Sequence, residues 1–298
     1  MSNKGKSPAS LYRSPQAYID EMTQYDAFLK RIPVPHESIF IQTSFGETHV
    51  LTMGKDNTVP VVMMHGLGAN ALSMREMAVD FSKSYQVYVL DAVGYSGKSA
   101  PTRPPMEDYA SWFVEAVNGL KVKEAHIVGI SLGGWLAMKL DILAPVRVKS
   151  LTLIGSAGFM PSPMPIIIKT LWLSMTATLP FARHGNARQF LKMLTAPDWQ
   201  QDPLMVEVFY RLLKYFKAPR EIPSPLSDDD LKKVTAPTLI LMGQYDRLVN
   251  VKAAIERARK LLPNLCAAEV VPDVGHLMNT EKPDMVDMRI LNFLKDGK

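Results

Sequence analysis

AHIVGISLGGWLAMKLDIL, residues 125–143, decides the fold. Residues 125–130 are an apolar run of strand length, and 135–143 carry helix formers at helical spacing. Between them lies G-x-S-x-G, Gly129 to Gly133, with Ser131 at its centre. A strand that turns so quickly into a helix needs a sharp bend. Such a bend lifts the serine Oγ above the sheet at the cost of strained backbone angles. Gly129 and Gly133, two positions either side, lack Cβ atoms and let strand and helix approach closely. The helix start also directs backbone N–H groups toward negative charge forming beside the serine. This is the setting of a nucleophile elbow; the plain alternative is a glycine-rich helix entry with Ser131 as its N-cap.

Outward from this segment the same grammar repeats. Apolar runs at 59–64, 86–90, 148–154, 238–242 and 267–271 read as strands buried on both faces of a parallel sheet. Helical patterns at 71–82, 107–120, 132–143, 251–262 and 284–295 separate them. Two further strands, 38–43 and 48–53, flank Ser44-Phe45-Gly46-Glu47, a hairpin turn. The fold class is therefore α/β, an eight-stranded and mostly parallel sheet.

One interval breaks the alternation. About eighty residues separate the strands at 148–154 and 238–242, rich in proline, with helical stretches at 166–179, 186–194 and 203–217. They read as an inserted helical cap over the carboxyl ends of the strands, where open α/β sheets bind ligands. The predicted organisation is 1–31 as an N-terminal tail (1–14) and helical lead-in, 32–158 with 229–298 as the α/β core, and 159–228 as the cap.

Composition narrows the function classes. The chain has 298 residues, 47% of them hydrophobic and 21% charged, as expected of a globular protein. The single cysteine, Cys266, excludes an internal disulfide, and residues 1–15 have no apolar core of a signal peptide, so a cytoplasmic location is expected. The apolar stretch 164–182 is interrupted by Lys169 and several hydroxyl residues, which favours a helix covering a hydrophobic pocket over stable membrane insertion. Net charge is +5, yet no basic run interleaved with aromatics marks a nucleic-acid platform. Residues 161–225 hold eight Lys/Arg against four Asp/Glu, so the excess of positive charge lies mostly in the cap. No metal or cofactor is expected, and the oligomeric state is not legible.

A serine hydroxyl needs a base to take its proton. His276, in Val271-Pro272-Asp273-Val274-Gly275-His276, follows the last strand, and Gly275 permits the tight loop that swings the ring toward Ser131. A surface-loop histidine is the competing reading. Asp246, just past the strand at 238–242, follows Ser131 and precedes His276, the order expected of this arrangement. Asp273 is a rival for the acid but is near enough to His276 to cap its own loop. Asp91, in D-A-V-G-Y-S-G-K-S at 91–99, reads as turn chemistry. His65-Gly66-Leu67-Gly68 follows the run at 59–64, and the Leu67 and Leu132 N–H groups are the candidate oxyanion donors; His65 reads as structural. Met160, Trp172, Leu248 and Leu277 border the expected apolar pocket.

H-G-L-G at 65–68, the 91–99 motif, G-I-S-L-G-G at 129–134, G-Q-Y-D at 243–246 and G-H at 275–276 together make the chain resemble the α/β-hydrolase superfamily over nearly its whole length. The lead-in F-I-Q-T-S-F-G-E-T-H-V at 40–50 is similar to that of small bacterial carboxylesterases related to naproxen esterase. The resemblance implies hydrolysis of carboxylic esters of small, largely apolar substrates through an acyl-enzyme, without cofactor. The chain departs from the superfamily pattern in the 91–99 motif, where Tyr95-Ser96 rather than one residue separate Gly94 from Gly97. Two other functions use the same residues: a carbon–carbon bond hydrolase, and a triad-bearing small-molecule receptor or signalling protein.

Overall fold

The computed structural model describes residues 7–176, 184–219 and 221–297. Its centre is an eight-stranded sheet of β1 (His36–Thr43), β2 (Gly46–Met53), β3 (Pro60–Met64), β4 (Gln86–Leu90), β5 (Ala125–Ile130), β6 (Val148–Ile154), β7 (Thr238–Gly243) and β8 (Leu265–Val271), in the order β1-β2-β4-β3-β5-β6-β7-β8. Only β2 pairs antiparallel with its neighbours β1 and β4; all other pairs are parallel. Fold class and strand count therefore match the sequence reading, with ends moved by one or two residues.

The helices are α1 (Pro15–Leu29), α2 (Arg75–Phe81), α3 (Asp108–Gly119), α4 (Leu132–Leu143), α5 (Met164–Thr176), α6 (Gly185–Leu194), α7 (Pro203–Tyr215), α8 (Asp228–Leu231), α9 (Val251–Leu261), α10 (Met278–Glu281) and α11 (Pro283–Asp296). They cover both faces of the sheet, and the two-residue period of the strands divides the core accordingly. In β3, Val62 and Met64 join the layer holding Trp112 of α3 and Leu136 of α4, while Val61 and Met63 join the layer holding Phe81 of α2 and Phe293 of α11. The continuous apolar runs are thus explained: neither face of a central strand meets water.

Residues 71–74 form a separate turn of 3-10 helix before α2, so the helix expected over 71–82 is two pieces. In the interval between β6 and β7, three helices stand near the expected places; positions 177–179 of the first lie outside the described residues. Two expectations change. Residues 8–14 are not a loose tail. Leu11 and Tyr12 are buried against Ala17 and Phe216, and the Lys217 and Arg13 N–H groups tie the segment to the end of α7 through Leu11 O and Tyr215 O. Their apolar side chains gain more by packing than the chain loses in freedom. Secondly, α5 buries only Leu173. Met164, Ile168, Leu171, Trp172 and Met175 are exposed, so most of its apolar side chains do not cover a pocket.

Among the described residues no helix is long and apolar enough to cross a membrane.

Candidate active site

β5 runs into α4 through Ser131, whose backbone adopts φ 54° and ψ −110°. A non-glycine residue held there is strained by about 1–3 kcal/mol. The packing that enforces it is tight. A Cβ on Gly133 would come within 2.0 Å of Met64 O, and one on Gly129 within 2.3 Å of Gly133 O. No side chain fits where the strand, the helix and the end of β3 meet.

The backbone of Ser131 itself is held by the end of β6 and the turn after it. The Ser131 N–H donates to Ile154 O at 2.9 Å, and Ser131 O accepts from the Ala157 N–H at 3.1 Å. Between these two contacts sits Gly155, with φ +51°; a Cβ there would lie 3.1 Å from two atoms of the His276 ring and 3.5 Å from Asp246 Oδ2. One turn therefore touches the serine backbone on one side and the imidazole and carboxylate on the other. Sequence reasoning missed Gly155; its signal was a glycine directly after the strand next to the serine's own.

His276 Nδ1 donates to Asp246 Oδ2 at 2.7 Å, and both residues are buried. The second carboxylate oxygen accepts the Leu248 N–H at 2.8 Å, which fixes the acid in the loop after β7. Burial alone would lower the His276 pKa, but the Asp246 charge, its hydrogen bond and the charge of Glu281 hold it above the ordinary imidazole value. Asp273 does not compete: it pairs with Lys282 at the surface. Ser131 Oγ and His276 Nε2 share no hydrogen bond among the described residues. Catalytic hydrogen bonds of this kind commonly tighten only with substrate in place.

The Leu67 and Leu132 N–H groups donate to no acceptor among the described residues, which is what an oxyanion site requires. The 65–68 loop reaches the elbow closely, since a Cβ on Gly66 would lie 3.4 Å from Ser131 Cβ. His65 holds this loop: its Nδ1 donates to Gly66 O at 2.8 Å and its Nε2 accepts the Ala92 N–H at 3.1 Å. Burial lowers its pKa and keeps the ring neutral, as this pattern demands.

The residues placed at the pocket separate. Leu277 packs on Ala187, Leu191 and Val206 of α6 and α7, and Met160 packs against the core layer of α3 and α4. Leu248 is half-buried beside Asp246. Trp172 is 54% exposed on α5 and stands apart from these three in its surroundings.

A second residue went unseen in the sequence. Leu194 O, at the end of α6, accepts the His276 and Leu277 N–H groups at 2.6 and 3.1 Å. Glu281 completes the tie, with Oε1 accepting the Gly275 N–H at 2.8 Å and Oε2 the Ala196 N–H at 2.6 Å. One carboxylate thus joins the histidine loop to the inserted helices. Its only trace in the sequence is an acidic residue two positions before Pro283.

No group of three or more His, Cys, Asp or Glu among the described residues is arranged to hold a metal ion. The model of the alpha/beta hydrolase family matches residues 61–287. Carboxylesterase YbfK of Bacillus subtilis is 29% identical over 284 residues, covering 92% of this chain and 93% of its own. Its crystal structure superposes with a TM-score of 0.83 at 24% identity, over 95% of this chain and 99% of that one. The crystal structure of naproxen esterase from Bacillus subtilis gives 0.82 at 26% identity, over 93% and 97%.

Proposed function

We propose, from the premise that the chain belongs to the alpha/beta hydrolase family, that it is a carboxylesterase acting on small, largely apolar esters. The observation that carries the reading is the backbone of Ser131. Strain of that size at a non-glycine residue has no packing benefit of its own, and it holds the hydroxyl at the mouth of the elbow beside the turn that touches His276. The similarity to esterases across nine-tenths of the chain supports the substrate class.

In the proposed reaction Ser131 Oγ attacks the acyl carbon while its proton passes to His276 Nε2. Asp246 stabilises the resulting imidazolium through Nδ1, and the Leu67 and Leu132 N–H groups receive the oxyanion. The imidazolium then protonates the departing alcohol. Water, deprotonated by the same ring, frees the acid. Residues 159–228 act as the cap, with Met160, Leu248 and Leu277 bordering the acyl site. The positive balance of the cap favours esters that carry a carboxylate. We place the enzyme in the cytoplasm, consistent with its lone cysteine.

Steady-state hydrolysis of p-nitrophenyl butyrate tests the reading. Ser131→Ala should reduce kcat/KM by about 10⁴-fold or more while the fold is retained. Retention of more than a tenth of the wild-type turnover would refute it.

A further inference from the structure

Away from Ser131 the structure contains a fully hydrogen-bonded serine–histidine–aspartate chain. Ser38 Oγ lies 2.9 Å from His49 Nε2, and His49 Nδ1 lies 2.9 Å from Asp91 Oδ2. The strand register creates the first contact: Ser38 faces Leu51 and Phe40 faces His49, so Ser38 and His49 are diagonal neighbours on one face of the hairpin. The second arises because Asp91 follows β4, the strand on the other side of β2.

Asp91 is strongly fixed. Its carboxylate accepts the Ala71 N–H at 2.6 Å, the Lys98 N–H at 2.9 Å and the Tyr25 hydroxyl at 3.0 Å, besides His49. Burial alone would raise its pKa. The His49 and backbone hydrogen bonds more than offset this and hold it below the ordinary carboxylate value. With Asp91 at Nδ1, the neutral ring that carries its proton there presents Nε2 as the acceptor of the Ser38 hydroxyl proton. His49 is fully buried, whereas Ser38 is exposed on the edge strand. The exposed ring of Phe40, 5.3 Å from the His49 ring, offers an apolar platform beside the hydroxyl. A nucleophile in hydrogen-bond reach of a base that a third group orients is the general signature of an activated hydroxyl.

We propose that Ser38 is a second acyl acceptor, taking acyl groups from esters with good leaving groups such as aryl esters. Ser38 Oγ attacks the acyl carbon and forms the new C–O bond. The bond between the acyl carbon and the phenolic oxygen breaks with its electron pair leaving on the phenolate, and the hydroxyl proton passes through His49 Nε2 to water. Ser38 sits in an extended ladder without the helix N-terminus that Ser131 has, so the acyl ester accumulates and the reaction is stoichiometric. The proposal stands independently of the role given to Ser131.

The test uses the full chain as Ser131→Ala, incubated with p-nitrophenyl acetate and followed by intact mass and peptide mapping. One acetyl group per chain is expected on Ser38, absent from Ser131→Ala/Ser38→Ala of matched melting temperature. General-base assistance contributes about 10²–10⁴-fold. Acetylation of Ser38 more than tenfold faster than that of the exposed Ser73 and Ser84 supports the proposal. A rate within tenfold of theirs, or equal labelling in both variants, overturns it. Ser38→Ala replaces an exposed side chain, so the comparison does not depend on a His49 variant folding. Steady-state turnover reads the Ser131 assignment separately.

Discussion

The same three side-chain types meet twice in this molecule, once at Ser131, His276 and Asp246 and once at Ser38, His49 and Asp91. The hydrogen-bonded chain is complete around Ser38 and incomplete around Ser131, where only the histidine–aspartate half is made. Yet Ser131 has what Ser38 lacks: a strained elbow, the start of a helix and two nearby backbone N–H groups with no acceptor among the described residues. Connectivity among three side chains activates a hydroxyl. Turnover also needs donors for the charge that develops on the substrate, and those come from backbone geometry.

The strongest way to break this comparison is to damage each aspartate. Asp246→Asn should leave the fold intact and lower kcat/KM on p-nitrophenyl butyrate by about 10³–10⁴-fold, because the imidazole loses its orienting partner and its stabilising charge. Asp91→Asn should act on stability. Its carboxylate serves two backbone N–H groups, a hydroxyl and an imidazole in full burial, and an amide presents donors where donors already point. Breaking such a network costs about 3 kcal/mol, which for a chain of this size lowers Tm by roughly 5 °C. Thermal unfolding and kinetics on both variants would show opposite patterns. Equal kinetic losses with equal Tm would erase the distinction.

How the sequence presented the two sites explains which was seen. Ser131, Asp246 and His276 each follow a strand at the same end of the sheet, and a parallel sheet gathers those ends in one place. Their meeting could therefore be read from strand order. Ser38 and His49 meet through antiparallel register, and register is set by one-residue differences in hairpin length. The predicted strand ends were off by as much as two residues, which is enough to hide a diagonal pair. Asp91 read as turn chemistry because it does make turn hydrogen bonds; that it also binds a histidine of the neighbouring strand β2 is a tertiary fact. Gly155 and Glu281 work through close approach and through bonds to backbone, neither of which leaves a side-chain pattern. α5 was misjudged for a different reason: an apolar helix reads the same whether its wide face is covered or open.

A buried carboxylate without a cation sharpens the contrast with both pairs. Asp287 of α11 is buried, its Oδ1 has no hydrogen-bond partner among the described residues, and its acidic neighbours are Asp80, Asp284 and Glu76. Burial first, then those charges, push its pKa up to about 7. The native state therefore holds a proton that the unfolded chain has already lost, and stability falls as pH rises from about 4 to about 7. Asp287→Asn should raise stability by about 2 kcal/mol at pH 8 and by almost nothing at pH 4. Urea unfolding at the two pH values checks this; an equal effect at both would show that Asp287 is not the titrating group.

The smallest expected effect concerns the link between the inserted helices and the base. Glu281 accepts the Gly275 and Ala196 N–H groups and adds negative potential at His276. In the proposed reaction His276 is a base only when neutral, so activity is expected to fall as pH drops through its raised pKa. In Glu281→Gln one charge disappears, the imidazolium is less favoured, and the acid limb of kcat/KM should move to lower pH by less than about one unit. A merely structural role predicts something else: a lower kcat or higher KM at every pH, with the limb unmoved. Glu281→Asp keeps the charge and shortens the reach, so it should leave the limb near its wild-type position while loosening the tie to Ala196. If the limb moves equally in both variants, the effect comes from loop geometry, and the electrostatic part of this coupling is wrong.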